Sequence, residues 1–113
     1  IVMRLVGSEM CIRDSRKIDW DIANSEWVEG QLKNFSVSKR VILENFIKDF
    51  KNNLSIYNDL KKSVIHNDIN DNNIIVSNEI INPNIESIID FGDSVYSQRI
   101  NDLAIAIAKS FIL

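Results

Sequence analysis

Residues 66–76, His-Asn-Asp-Ile-Asn-Asp-Asn-Asn-Ile-Ile-Val, place one histidine, two aspartates and four asparagines in eight positions ahead of an apolar run. A second acidic stretch, Asp90-Phe91-Gly92-Asp93, follows 22 residues after Asp68. Three readings compete for these oxygen-rich segments. The plainest is compositional: with 14 Asn and 20 Ile in the chain, asparagine clusters arise without function, and a lone histidine is more often a hydrogen-bonded structural residue than a catalyst. A second is an EF-hand-like calcium loop over 68–79, with Asp68, Asn70, Asn72 and Glu79 at the oxygen-donor positions and Ile75 at the apolar one. Against it, Asn73 stands where the sharp turn wants glycine, and Ile80, Ile81 and Pro83 oppose an exiting helix. The third is phosphoryl transfer, which needs a carboxylate to orient a hydroxyl and accept its proton, and oxygen ligands to hold Mg2+ against phosphates. Asp68 then serves as the base, and Asn73 and Asp90 as metal ligands.

The third reading uses more of the chain. His66-x-Asp68-x-x-x-x-Asn73 has the spacing of a kinase catalytic loop, and Asp90-Phe91-Gly92 supplies the second motif in the right order. Two motifs in order and at workable separation are far more specific than either alone.

The elements that would position these groups can be read from periodicity. A helical stretch is predicted from residue 19 or 20 to about 32, with Ile22, Ala23, Trp27 and Gln31 on one side and Asp19 or Asp21 at the positive end of its dipole. Leu43, Phe46, Ile47, Phe50, Leu54 and Tyr57 make a 3.6-residue stripe behind an N-cap at Ser36 or Ser38. Val64-Ile65 and Ile74-Ile75-Val76 are β-branched runs flanking the polar loop, and Asn82-Pro83-Asn84 is a turn before a strand at 85–89. The apolar strands are expected to be buried and to hold the two acidic loops side by side. A last helix carries Ile100, Leu103, Ala104, Ile107, Ala108 and Phe111 at helical spacing. No internal repeat or flexible linker divides the chain.

Composition narrows the class. At 113 residues the chain can form at most one ordinary domain or part of a larger one. A hydrophobic content of 45% and a charged content of 26% are those of a globular protein. Net charge −3 offers no basic footprint for nucleic acid or an anionic membrane. No apolar run nears the roughly 18 residues that span a bilayer, and no signal peptide is evident, so a cytoplasmic location is expected.

Residues 5–15, LVGSEMCIRDS, resemble the translation of a transposase sequencing adapter. Residues 1–15 are therefore expected to be a non-native, adapter-derived segment, and 16–113 the genuine one. Removing 1–15 leaves the net charge at −3 and takes away Cys11, the sole cysteine, so disulfide, zinc-thiolate and cysteine-nucleophile chemistry fall away. With no helix-ending residue after Phe111, both ends are expected to be cut, which makes 16–113 a fragment.

Together, VIHNDINDNNIIV and SIIDFGDSVYSQRINDLAIAIA resemble the aminoglycoside phosphotransferase and choline kinase-like family. They are most similar to its hydroxylysine kinase-like branch, also found fused to class III aminotransferases, and WDIANSEW resembles the WDL-type helix preceding the catalytic loop there. The resemblance implies an α+β, protein kinase-like fold, of which this chain is a partial C-terminal lobe: helices flanking a short β-hairpin region that bears the catalytic loop and the DFG-like turn. It implies Asp68 as catalytic base, Asn73 and Asp90 as Mg2+ ligands, and His66 as a loop-shaping residue. Asp102, in the DLA motif, is implied as a buried aspartate that hydrogen-bonds the loop; as a plain first-turn acid or N-cap it would occupy the same position. Asn70 and Asp93 either line the active site or are solvated. Trp20 and Trp27 are read first as core, with a wall of the acceptor pocket as the alternative.

There are departures. Asn67 stands where the family carries glycine between histidine and aspartate, which asparagine's tolerance of positive φ can accommodate. No glycine-rich phosphate loop and no strand lysine paired to a helix glutamate is found in the sequence. The parent protein is expected to transfer the γ-phosphate of ATP or GTP, with Mg2+, to a hydroxyl of a small amino-bearing acceptor, while the fragment by itself is expected to be inactive. The alternatives are a non-catalytic, pseudokinase-like binding module or inert fragment, and the calcium loop.

Overall fold

The computed structural model describes residues 16–111; the segment 1–15, with Cys11, lies outside the described residues. Asp21 caps the first element, its carboxylate accepting from the Ala23 amide at 3.1 Å. The chain then runs as a 3-10 helix over Ile22–Asn34, kinked at Asn24 (φ −109, ψ 20). Its inward positions are Ile22, Ser25, Val28 and Leu32. The first three fall at steps of three, as three residues per turn require, so of the predicted side of Ile22, Ala23, Trp27 and Gln31 only Ile22 faces inward. Trp20 and Trp27, 60% and 52% exposed, lie outside the core, contrary to expectation.

Helix α1 (Val37–Asn52) follows Ser36, which holds the N-cap position without a side-chain cap bond. Its predicted stripe is half-buried at Leu43, Ile47, Phe50 and Leu54 and ends on buried Tyr57, whereas Phe46 points out. The stripe is interrupted at Asn53 (φ −103, ψ 9), whose side chain donates to the Asp49 carbonyl at 2.8 Å. Such local side-chain bonds compete with the helix ladder, and a short α2 (Leu54–Asn58) begins beyond it. The Phe50 and Tyr57 rings meet edge-on at 5.0 Å across the break.

Four short strands follow: β1 (Lys62–Ile65), β2 (Ile74–Val76), β3 (Ile85–Ile88) and β4 (Val95–Gln98). They form two separate antiparallel pairs, β1 with β4 and β2 with β3, the latter with an irregularity at Ile75/Val76. The β1–β4 register sets Ile65 opposite Val95, and these two close an apolar cluster with Ile18. The expected hairpin region is thus β2–β3, while β4 was not legible in the sequence. Burial of the β2 and β3 strands is not found either: Ile75, Val76 and Ile85 are exposed.

Helix α3 (Ile100–Ser110) closes the described chain. Its apolar stripe is turned outward, with Leu103 55% and Phe111 84% exposed. The side turned inward carries Asn101, Asp102, Ile105 and Ala106. The result is a mixed α and antiparallel-β architecture, and among the described residues no helix is long and apolar enough to cross a membrane.

Much of the buried set is polar: Asp21, His66, Asn67, Asn73, Ser94, Ser97, Gln98 and Asn101. Buried polar groups need partners, and for Asp21, Ser97, Gln98 and Asn101 one cluster supplies them across four elements. Asp21 Oδ1 accepts from Ser97 Oγ at 2.8 Å and Asn101 Nδ2 at 3.4 Å. The Tyr57 hydroxyl donates to Asn101 Oδ1 at 3.0 Å, and Gln98 Nε2 donates to the Tyr57 carbonyl at 3.4 Å.

Burial first, and the nearby Asp21 charge second, push the Tyr57 hydroxyl above its ordinary 10.0, against the lowering effect of its bonds to Asn101 and Ser97. The folded state therefore keeps the phenol proton at a pH where the unfolded chain releases it. The associated stability is complete below pH about 10 and is lost as pH rises through the folded value. Stability against urea above pH 10 is expected to fall more steeply with pH for the wild type than for Tyr57→Phe, and parallel slopes would contradict this.

Candidate active site

The loop after β1 is held at its first residues by one carboxylate. Asp102 Oδ2 accepts from the His66 amide at 2.9 Å and Asp102 Oδ1 from the Asn67 amide at 2.7 Å. Bonds of this length to a charged acceptor are among the stronger ones in proteins. Asp102 also sits in the first turn of α3, so both roles read from the sequence coexist in one side chain.

At Asn67 the chain turns with φ 66, the positive value foreseen for the residue that replaces glycine. The Asn67 side chain is buried, and its Nδ2 and Oδ1 have no protein partner. Glycine there would remove a buried unsatisfied amide, worth about 1–3 kcal/mol, and relieve the left-handed conformation. The added freedom of the unfolded chain offsets about 0.4–1 kcal/mol of this. Asn67→Gly is therefore expected to stabilise by about 1 kcal/mol, and Asn67→Ala, which cannot adopt φ 66 freely, to destabilise. Thermal midpoints in the opposite order would contradict the argument.

His66 shapes the loop with both ring nitrogens. Nδ1 accepts from the Asp68 amide at 3.3 Å, which makes Nε2 the protonated nitrogen, donating to the Ile89 carbonyl at 2.8 Å. The His66 ring also packs against Phe91 at 4.8 Å. One histidine thus joins the loop to the residue just before Asp90.

Asn73 makes the second join. Its backbone carbonyl accepts from the Ile89 amide at 2.9 Å. Its side-chain Nδ2 donates to the Asp68 carbonyl at 2.8 Å and to Asp68 Oδ2 at 3.0 Å. Asn70 closes the turn between them, donating to the Asp68 carbonyl at 3.1 Å and accepting from the Asn72 amide at 2.9 Å. Asn70 is therefore a loop-building residue.

Asp90 adopts a left-handed conformation (φ 59, ψ 67) and leads into the 3-10 turn Phe91–Asp93. Its Oδ1 accepts from the Gly92 amide at 3.3 Å, and a Cβ on Gly92 would lie 3.1 Å from that oxygen, so glycine gives the carboxylate room. Asp90 is exposed and Asp93 half-buried. The Arg16 guanidinium donates to the Gly92 carbonyl.

The predicted residues fall into one constellation: Asp68 and Asn73 bonded to each other, and Asp90 attached through Ile89. The calcium loop lacks its architecture, because β1 precedes Asp68 and a turn through Pro83, with no helix, follows Glu79. Among the described residues no group of three or more His, Cys, Asp or Glu side chains could hold a metal ion by itself. The residues sequence reasoning missed are Ser97 and Asn101, together with the Ile89 backbone. Nothing in SVYSQRIN marks these, since Ser97 and Gln98 are both polar and both buried, so the strand shows no apolar alternation.

The family model described as the Phosphotransferase enzyme family matches residues 10–112. The chain belongs to that family. No curated protein and no solved structure matches the chain.

Proposed function

We propose that this chain carries the catalytic loop of a small-molecule kinase that moves the γ-phosphate of ATP or GTP to a hydroxyl of a small, amino-bearing acceptor of hydroxylysine type. The observation that carries this reading is the double tether at Ile89: its amide bonds Asn73 and its carbonyl bonds His66. Two motifs far apart in sequence are thereby presented together, as phosphoryl transfer requires.

In this mechanism Asp68 orients the acceptor hydroxyl and takes its proton as the oxygen attacks the γ-phosphorus, while the bond from that phosphorus to the oxygen bridging the β-phosphate breaks and ADP or GDP leaves. Asn73 fixes the Asp68 carboxylate by donating to Oδ2. With both Asn73 Nδ2 contacts directed to Asp68, the Asn73 Oδ1 is left to act as a ligand. Asp90 spends only a long bond to the Gly92 amide, which leaves carboxylate lone pairs free. An amide oxygen and a carboxylate fit Mg2+, which takes few protein ligands and completes its shell with phosphate and water. When bound, Mg2+ neutralises the phosphate charge that builds during transfer.

The test is radiolabelled phosphate transfer from ATP or GTP to a panel of amino alcohols by the parent protein, with and without Mg2+. Transfer that depends on Mg2+ and on a hydroxyl-bearing acceptor is expected. A parent protein that binds nucleotide but transfers nothing would favour the non-catalytic binding module.

A further inference from the structure

We infer that Asp21 is a positioning residue for the catalytic loop, acting through Ser97 and Asn101 on the first turn of α3 and so on Asp102. The inference rests on the proposed function only in calling the loop catalytic.

Asp21 is 3% exposed, and among the described residues no cation pairs with it. A carboxylate taken from water in this way depends on hydrogen bonds. Three donors converge on its Oδ1: the Ala23 amide, Ser97 Oγ and Asn101 Nδ2. Asn101 Nδ2 also donates to Ser97 Oγ at 3.1 Å, while its Oδ1 accepts from Tyr57. The Asn101 amide thus has one orientation that satisfies every partner, and this residue is 1% exposed.

Asn101 is the immediate neighbour of Asp102, and both lie in the first turn of α3. The helix has no side-chain cap at Arg99 to fix that turn. Its outward apolar stripe makes no packed layer to fix it either. With the Arg99 amide bonded to the Lys61 carbonyl at 3.0 Å and only half-buried Ile105 and Ala106 facing inward beyond it, the side-chain restraint on the first turn comes from the buried polar cluster, and a buried network fully satisfied on one geometry specifies that geometry. Any rotation of the turn that loosens Asn101 lengthens the Asp102 bonds to the His66 and Asn67 amides. Loosened amides there release His66 and, through its ring, Asp68.

The experiment is amide hydrogen exchange by NMR on the full chain, comparing wild type, Asp21→Asn and Tyr57→Phe. The Ser77 amide, bonded to the Asn84 carbonyl at the far end of the β2–β3 pair, is the reference. Asp21→Asn keeps the shape and leaves an oxygen for the three donors, but removes the negative charge that strengthens their bonds. Exchange at His66 and Asn67 is expected to rise about tenfold relative to Ser77 in Asp21→Asn, and about threefold in Tyr57→Phe.

In the active parent protein kcat is expected to fall by similar factors with the nucleotide KM unchanged. Selective exchange at the two amides supports the coupling even if no transfer is detected, which overturns the proposed function alone. Exchange unchanged, or raised equally at Ser77 in both variants, overturns the coupling. Selective exchange with kcat unaltered in the active protein overturns the positioning role.

Discussion

Replacing Asp68 with asparagine is expected to lower the kcat of the proposed phosphoryl transfer about 100- to 10,000-fold, the range that one positioned acid–base group contributes. The substitution isolates proton acceptance because the loop's other restraints do not use the carboxylate charge. The Asp68 carbonyl still accepts from Asn70 and Asn73, and its amide still donates to His66 Nδ1. An amide oxygen at the same place can accept from Asn73 Nδ2 as Oδ2 does now. Nucleotide affinity and thermal midpoint are therefore expected to change little, while single-turnover transfer collapses. Equal kcat in the two proteins would remove Asp68 from the role of base. A large drop in midpoint would show instead that the carboxylate supports the loop.

Much of this loop was legible because its chemistry is local. The spacing of His66, Asp68, Asn73 and Asp90 is read from the sequence itself, whereas the positive φ of Asn67 and the loop bonds of Asp102 were expectations that the family resemblance implied. What was not legible depends on which groups meet across long sequence separations. Asp21 and Asn101 are 80 positions apart, and neither the aspartate of WDIAN nor the asparagine of RIND announces a partner. β4 escaped notice because a strand that buries Ser97 and Gln98 has no period-two apolar signal. The stripe of α3 was legible as apolar but its outward direction was not, since periodicity reports the character of a face and not what covers it. The 3-10 helix at 22–34 shows the same limit: a change from 3.6 to three residues per turn re-sorts its later positions.

Asp102 poses the question on which the size of an effect decides. As a first-turn acid interacting with the dipole of α3 it would contribute about 0.3–1 kcal/mol. As a clamp it accepts from the two backbone amides that open the loop, in residues that are themselves buried. Hydrogen bonds to a charged group contribute about 1.5–3 kcal/mol each, and an orphaned buried donor costs about 1–3 kcal/mol. Shared between two half-buried contacts, the loss for Asp102→Ala is expected to be about 2–4 kcal/mol. That is a large part of the roughly 5–15 kcal/mol that holds a domain together, and the apolar core here is small. Asp102→Asn is expected to fall between, since an amide oxygen can serve one of the two donors while its NH2 faces the other. Urea titration reads this as a lowered midpoint at constant slope. A loss below about 1 kcal/mol for Asp102→Ala would leave only the dipole. A loss above 2 kcal/mol, with Asp102→Asn intermediate, means that the loop presenting Asp68 takes its shape from a carboxylate on the helix that follows it.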